Sequence, residues 1–364
     1  MFSPADEHFM AHALRLAARG LFTATPNPRV GCVIVRDGAI VGEGFHERAG
    51  EPHAEIHALH AAAERTAGAT VYLTLEPCCH HGRTPPCVDA LVAAKVGRVV
   101  AAMQDPNPKV AGDGFARLRA AGVDVEAGLL EDEARELNIG FVARMTRGRP
   151  WVRLKVAASL DGKTALGNGR SQWITGEEAR VDGHRWRARA CAILTGIGTV
   201  KSDDPQLTVR AVETSRQPLK VLVDSQLEAS LDARLFAGGH TLVAAAVDDG
   251  KKAARLRDRG AEVVLLPNAA GKVELGELMR ELARRELNEI HVEAGFKLNG
   301  SLVAAGVVDE LLVYLAPSLI GESGRGMFAL PAIEDLAQWR QLAWRDVQRL
   351  GADLRILARF APAA

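Results

Sequence analysis

The chain has 364 residues with 45 basic and 45 acidic side chains, so its formal net charge is zero. That length corresponds to about two domains, each able to bury its own core; 48% hydrophobic and 25% charged residues exclude a disordered chain. The charge balance argues against a dedicated nucleic-acid binder, and no apolar run approaches the ~20 residues needed to span a bilayer.

Taken in chain order, Ser3-Pro4 supplies an N-cap with a first-turn proline and Gly20 a stop, predicting a helix over 4–19. Residues 31–35 and 39–44 flank Asp37-Gly38, a hairpin signal. Residues 53–65 read as helix, 70–75 as strand, 86–95 as helix and 98–102 as strand. A helix near 113–121, a strand at 123–127 and a helix over 130–144 follow. Strands separated by helices imply a sheet covered on both faces. Met145-Thr-Arg-Gly-Arg-Pro150 then breaks the last helix as a linker. Beyond it, strands are expected at 151–158, 191–195, 219–223, 241–246, 262–266, 289–293 and 310–316. Helices are expected at 176–189, 251–259, 274–286 and 296–305, and one or two antiparallel strands at 343–361. The start, MFSPADEHFM, lacks the basic-then-apolar layout of a secretory signal. Five cysteines without such a signal suit a reducing cytoplasm, where thiols bind metal or are buried.

The unusual chemistry is concentrated early, with eight of eleven histidines before residue 82 and Cys78, Cys79 and Cys87 within ten residues. His53-Ala-Glu55 is followed by Pro77-Cys78 and, nine positions on, by Cys87. One imidazole and two thiolates make a three-ligand zinc set with a fourth position open, and Glu55 at a helix start can move protons without coordinating. Zinc deaminases use this H-x-E plus P-C arrangement. Ala54 stands where H-E-x-x-H peptidases have glutamate, so a peptidase is excluded. A structural zinc with Cys79 or His80 as fourth ligand is the competing reading.

Thr25-Pro-Asn-Pro-Arg-Val-Gly31, Gly50-Glu-Pro-His-Ala-Glu55, Thr74-Leu-Glu-Pro-Cys78, His80-His-Gly-Arg-Thr-Pro-Pro-Cys87 and Asp105-Pro-Asn-Pro108 occur in that order. Together they resemble the deaminase half of the bifunctional deaminase-reductases of riboflavin biosynthesis, over essentially all of residues 1–147. The long stretch between Cys78 and Cys87 differs from the P-C-x-x-C of nucleoside and nucleic-acid deaminases. The resemblance implies a cytidine-deaminase-like α/β/α domain with one zinc ion on His53, Cys78 and Cys87, and Glu55 as proton shuttle. It further implies substrate contacts from Asn27, His46, His80, Arg83, Asp105 and Asn107. Cys79 departs from it, since many relatives are expected to have serine there.

No G-x-G-x-x-G follows a strand in the second half, so a Rossmann dinucleotide site has no fingerprint. Polar and glycine clusters instead close several strands: Ser159-Leu-Asp-Gly-Lys163, Thr195-Gly-Ile-Gly-Thr199, Val223-Asp-Ser225 and Val292-Glu-Ala-Gly295. Ligands in open α/β sheets bind beyond such strand ends, and the helix opening at 295–301 offers free N–H groups to a phosphate. With Ser171-Gln-Trp-Ile-Thr175 and Asp203-Asp-Pro-Gln-Leu-Thr-Val-Arg210, these resemble the reductase half of the same family over roughly 150–361. A dihydrofolate-reductase-like α/β domain using NADPH follows by that resemblance, giving a division into 1–147 and 148–364. NADPH contacts are then expected from Ala157, Trp173, Thr199, Asp203, Ser225 and the turn Gly295, Phe296, Lys297, Leu298, Asn299, Gly300 and Ser301. Substrate contacts are expected from Ser171, Arg187, Leu207, Arg210 and Glu293, with Lys155 and Asp203 as catalytic candidates.

The reaction so implied is hydrolytic deamination of 2,5-diamino-6-ribosylamino-4(3H)-pyrimidinone 5′-phosphate, then reduction of the ribosyl group to ribityl. The expected setting is a cytoplasmic homo-oligomer, dimer or tetramer, taking small phosphorylated pyrimidines and binding neither nucleic acid nor membrane. Two other classes remain at this stage. One is a nucleoside or RNA deaminase with a C-terminal binding module; the other is a structural zinc domain fused to a metabolite sensor, which requires four protein zinc ligands.

Overall fold

The structure is a computed structural model describing residues 2–81, 85–335 and 339–361. It divides into two compact units, Met1–Gly148 and Arg149–Ala364.

The first unit opens with α1 (Pro4–Arg19), closed by a capping box in which Ser3 Oγ accepts from the Asp6 N–H and the Asp6 side chain accepts from the Ser3 N–H. Strands β1 (Gly31–Arg36) and β2 (Ala39–Phe45) form the expected hairpin; Asp37 and Gly38 take φ of 52° and 77°. Next come α2 (Ala54–Ala62), β3 (Thr70–Leu73), α3 (Cys87–Ala93), β4 (Arg98–Ala101), α4 (Asp113–Ala120) and β5 (Asp124–Ala127). The sheet order among described residues is β2-β1-β3-β4-β5. Side chains alternate across it. Cys32, Ile34, Val71 and Leu73 pack with α2, α3 and α4, while Val33, Val35, Tyr72 and Val100 pack with α1 and the C-terminal helices.

The single helix expected over 130–144 is two, α5 (Glu131–Leu137) and α6 (Ile139–Arg147). They meet at Asn138, whose amide is committed to distant backbone: its Oδ1 accepts from the Arg29 N–H and its Nδ2 donates to the Arg29 carbonyl. The chain breaks later than the composition suggested, at Gly148 in the left-handed region.

The second unit contains β6 (Trp151–Ser159), β7 (Lys163–Ala165), α7 (Glu177–Arg189), β8 (Ala192–Gly196), α8 (Ile197–Asp203) and β9 (Leu219–Val223). It continues with β10 (Thr241–Ala245), α9 (Gly250–Asp258), β11 (Ala261–Leu265), α10 (Leu275–Arg284), β12 (Glu289–Val292) and α11 (Phe296–Ala304). β13 (Glu310–Ala316), β14 (Arg325–Gly326), β15 (Leu342–Leu350) and β16 (Asp353–Phe360) complete it. Among described residues the large sheet runs β11-β10-β9-β8-β12-β6-β13-β16-β15, parallel from β11 to β13 and antiparallel beyond. α10 and α11 cover one face; α7, α8 and α9 cover the other.

Parity along the central strands has a consequence. Val152, Leu154 and Val156 join the apolar core, so Arg153 and Lys155 must point to the α7 face. There Arg153, 2% exposed, pairs with Glu310 at 2.5 Å and Glu289 at 3.3 Å, and its guanidinium lies 4.2 Å from the Trp186 ring. No helix among the described residues is long and apolar enough to cross a membrane.

Candidate active sites

In the first unit the donor atoms of His53, Cys78 and Cys87 lie within 4.8 Å of one another. His53 Nδ1 is 3.3 Å from Cys87 Sγ and 3.6 Å from Cys78 Sγ. Local structure places them there. His53 is the N-cap of α2 and Cys87 the first residue of α3, while Cys78 lies on the loop after β3 and accepts from the Cys87 backbone N–H at 3.4 Å. α2 lies close against β2 at two glycines: a Cβ on Gly42 would meet the Ala58 carbonyl oxygen at 2.2 Å and one on Gly44 the Ala54 oxygen at 2.6 Å. That contact seats Glu55, in the first turn of α2, in the interior: it is 3% exposed and its Oε2 has no hydrogen-bond partner.

The hydrogen bond from Cys87 holds the Cys78 thiol down to about 4, with His53 adding to it, and the same bond with burial pushes Cys87 far up. A dication among the three donors would stabilise both thiolates. Burial raises Glu55, reinforced by the Cys78 charge. A His-Cys-Cys set beside a buried carboxyl whose Oε2 is without a partner fits a three-ligand zinc. Among the described residues no fourth His, Cys, Asp or Glu joins the group. Cys79 instead packs against the core beside α2 and α3, which removes it as a ligand.

Around this centre, His46 Nδ1 is 3.2 Å from the Pro52 carbonyl and must donate to it, leaving Nε2 to accept from Asn27 Nδ2 at 3.0 Å. The two histidine rings, 46 and 53, meet edge to face at 5.2 Å. Asp105 is buried and accepts from the Asn107 N–H at 2.8 Å; burial pushes its carboxyl up to about 7. His80 is exposed, and Arg83 lies outside the described residues. Sequence reasoning missed Glu76. Buried in the Thr74-Leu-Glu-Pro-Cys78 segment, it accepts from the N–H groups of Asp105, Gly112 and Phe115 and so shapes the loop that presents Asp105 and Asn107.

In the second unit a cavity of about 1620 Å³ runs across the carboxyl ends of β6, β12, β8 and β9. Single ligands occupy about 300–1,000 Å³, so it has room for a dinucleotide and a second molecule. Its wall includes Lys155, Ala157, Ser171, Trp173, Arg187, Thr199, Asp203, Leu207, Arg210, Ser225 and Glu293, and all of 295–301 except Gly300. Gly300 is turned away: a Cβ there would meet the Ala329 carbonyl oxygen at 2.2 Å. The turns after β8 and β12 face each other, since a Cβ on Gly295 would sit 3.6 Å from Thr199 Oγ1.

Glu293 is the electrostatic centre. Arg187 grips it with two bonds of 2.5 and 2.8 Å, and His291 Nε2 lies 3.3 Å away. Burial alone would raise Glu293, but the Arg187 charge and hydrogen bonds prevail and hold it well below the carboxylate range. Burial lowers Lys155, with Glu293 opposing. Asp203, by contrast, is exposed at the end of α8. Trp173 is 72% exposed, with the Arg180 guanidinium 4.9 Å from its ring. Two acids in the strand-end motifs are scaffold. Asp224, beside Ser225 in the cavity wall, spends its carboxylate on the Glu228 and Ala229 N–H groups, and Asp161 accepts from Ile320 and Gly321. His184, also on the wall, was missed; its signal was the spacing of three from Arg187 on one helix.

Residues 3–103 match the family described as "Cytidine and deoxycytidylate deaminase zinc-binding region", and residues 150–355 match "RibD C-terminal domain". The chain is 50% identical to "Riboflavin biosynthesis protein RibD" of Escherichia coli (strain K12), covering 96% of this chain and 98% of that one. The Haemophilus influenzae protein of the same name is 45% identical, over 98% and 97%. Among solved structures, Acinetobacter baumannii RibD superposes with a TM-score of 0.92 at 42% identity, covering 98% of this chain and 99% of that one. A Thermotoga maritima diaminohydroxyphosphoribosylaminopyrimidine deaminase/5-amino-6-(5-phosphoribosylamino)uracil reductase gives 0.88 at 32%, with the same coverage.

Proposed function

The chain belongs to the RibD family, and on that premise we propose how its two sites divide the work of a bifunctional, zinc-dependent deaminase and NADPH-dependent reductase of riboflavin biosynthesis. The observation behind this division is that each unit by itself contains a full set of chemical groups. The first has the His53-Cys78-Cys87 triad with Glu55; the second has Lys155, Glu293 and Arg187 in the wall of the large cavity.

In the first reaction water adds to the ring carbon bearing the exocyclic amine, and ammonia leaves. Zinc held by His53, Cys78 and Cys87 supplies the Lewis acidity that makes water nucleophilic near neutral pH. Glu55 takes the water proton and delivers it to the departing nitrogen, a shuttle suited to a carboxyl with no protein partner on Oε2. Asn27, His46, Asp105 and Asn107 offer amide, imidazole and carboxyl groups to the ring and ribose. His80 and Arg83 are assigned to the phosphate end.

In the second reaction the C1′–O4′ bond of the sugar breaks, C1′ gains a hydride and the released O4′ gains a proton. NADPH supplies the hydride. Lys155 lies at the β6 end of the cavity, where its ammonium can deliver that proton; burial lowers its pKa and the Glu293 charge opposes that shift. Arg187 and Arg210, with Ser171 and Leu207, hold the phosphoribosyl arm. Ser225, Thr199 and the 295–299 turn receive the cofactor toward β9, with its phosphates at the N–H groups opening α11.

The working form is proposed to be a cytoplasmic homo-oligomer. β15 is an edge strand of the large sheet, and it exposes Leu342, Trp344 and Val347, with Trp344 69% exposed. An apolar edge strand of this length is a pairing surface unless covered, and a second copy of this chain is the occupant proposed. The deciding test supplies the pyrimidinone phosphate, zinc and NADPH. One ammonia and one NADP⁺ per substrate are expected, and absence of either product sinks the two-reaction reading.

A further inference from the structure

His184 lies one turn before Arg187 on α7 and in the same cavity wall, yet none of the chemistry above uses it. Its Nδ1 accepts the backbone N–H of Arg210 at 3.2 Å. A nitrogen that accepts has no proton, so the ring's hydrogen is on Nε2, and Nε2 has no hydrogen-bond partner among the described residues. The nearby guanidinium groups are engaged in part. Arg187 spends three N–H groups on Glu293 and the Thr208 carbonyl, and Arg210 Nη1 reaches Thr208 Oγ1 at 2.8 Å and Gln206 Oε1 at 3.3 Å.

Resting on the reductase reading, we propose that His184 is a positioning residue that offers a neutral Nε2–H to an acceptor oxygen of the substrate's phosphoribosyl arm while pinning Arg210 beside it. The location selects substrate over cofactor. The charged groups that face His184 are Arg187 on its own helix, Arg210 on the loop after α8, Glu293 after β12 and Lys155 on β6. All but Arg210 lie on the α7 face of the sheet at β6 and β12, whereas α11, whose opening turn receives the cofactor, covers the opposite face. Neutrality follows from the same geometry. A proton on Nδ1 would break the Arg210 bond and place a third positive charge between two guanidinium groups. Consistently, burial, then Arg187 and Arg210, hold the imidazole down to about 4.

The test compares His184→Leu with His184→Gln, whose amide can both accept from Arg210 and donate to the substrate. KM is measured separately for the aminouracil phosphate and for NADPH, with tryptophan fluorescence, all five tryptophans lying in the second unit, as a folding control. A hydrogen bond to a charged oxygen predicts roughly a 10- to 100-fold rise in substrate KM for the leucine variant. NADPH KM should stay within about two-fold and glutamine should restore most of the loss. An unchanged substrate KM, or both KM values rising together without rescue by glutamine, overturns the proposal. If the leucine variant does not fold, His184→Ala takes its place: the same rise in substrate KM is expected, and an unchanged substrate KM there overturns the proposal. Failure of the underlying reading looks different, as a wild-type enzyme that does not oxidise NADPH with the aminouracil phosphate at all.

Discussion

Replacing Glu55 by glutamine separates the proposed activities most sharply. The side chain is 3% exposed and its Oε2 has no partner, so the near-isosteric amide severs no hydrogen bond at that atom. It leaves an amide NH₂ unsatisfied, at a cost of about 1–3 kcal/mol, and in return removes a buried carboxyl whose charged form burial disfavours. The fold and the three donors should survive. Chemistry should not, because the group works twice, taking a proton from water and giving it to nitrogen. Loss of a positioned acid-base is worth about 10²–10⁴ in rate, or about 3–5 kcal/mol of barrier. Double use puts the expected loss of ammonia release near the upper end. The assay follows ammonia from the pyrimidinone phosphate, and NADPH oxidation with the aminouracil phosphate supplied directly, on the same zinc-loaded sample. More than a tenth of the wild-type deaminase rate in Glu55→Gln would refute the proton shuttle; loss of both activities would refute the division between units.

Lys155→Met should lower NADPH oxidation by about 10²–10⁴, while Asp203→Asn, at an exposed carboxylate, should lower it less than about ten-fold; steady-state rates giving the reverse order would move proton transfer to Asp203. Glu310→Gln strips Arg153 of one of two buried acidic partners and should destabilise the second unit by about 2–4 kcal/mol, read by urea unfolding through tryptophan fluorescence, since all five tryptophans lie in that unit. Asp105 titrates near 7 when folded against 3.8 as its ordinary value, so the folded state retains a proton the unfolded chain has released. That contribution is full below about pH 4 and is lost as pH rises through 7, at most about 4 kcal/mol; Asp105→Asn should remove the slope, as measured by hydrogen exchange in peptides of the first unit. Trp344→Glu should shift the sedimenting species toward monomer without changing either activity per chain.

Local signals in the sequence located most elements. Ser3, Pro4 and Gly20 marked α1 at its observed limits, and Asp37-Gly38 marked the first hairpin. What local signals missed was decided at long range. α5 and α6 separate because Asn138 serves Arg29, more than a hundred residues away. α8 was unseen because Gly196-Ile-Gly198 reads as a loop, and it forms where Val200 packs under β9 and β10. The zinc donors were legible because metal chemistry restricts both residue type and spacing. Glu76, Asp161 and Asp224 were not distinguishable from site acids, since a carboxylate that accepts backbone N–H groups looks the same in sequence as one facing a substrate.

Strand parity explains how one face of the second unit serves both stability and reaction. On β6, Arg153 and Lys155 point the same way; on β12, so do Glu289, His291 and Glu293; on β13, so do Glu310, Leu312 and Tyr314. Toward the amino ends, Arg153 lies between Glu289 and Glu310, and Arg189 and Arg359 close the set at 2.7 and 2.8 Å. Each charge there has a protein partner, and no room is left for a ligand. Two residues further along each strand the pattern opens. Lys155 has no hydrogen bond of its own among the described residues, and Glu293 is held by Arg187 from α7 rather than by a strand neighbour. The same alternation that buries a saturated ion cluster thus presents, one pleat on, a cation and a carboxylate at the cavity edge. Zero net charge is compatible with two sites for phosphorylated ligands because the positive charge is local, at Arg187, Arg210 and Lys155, and is balanced within the same face of the sheet.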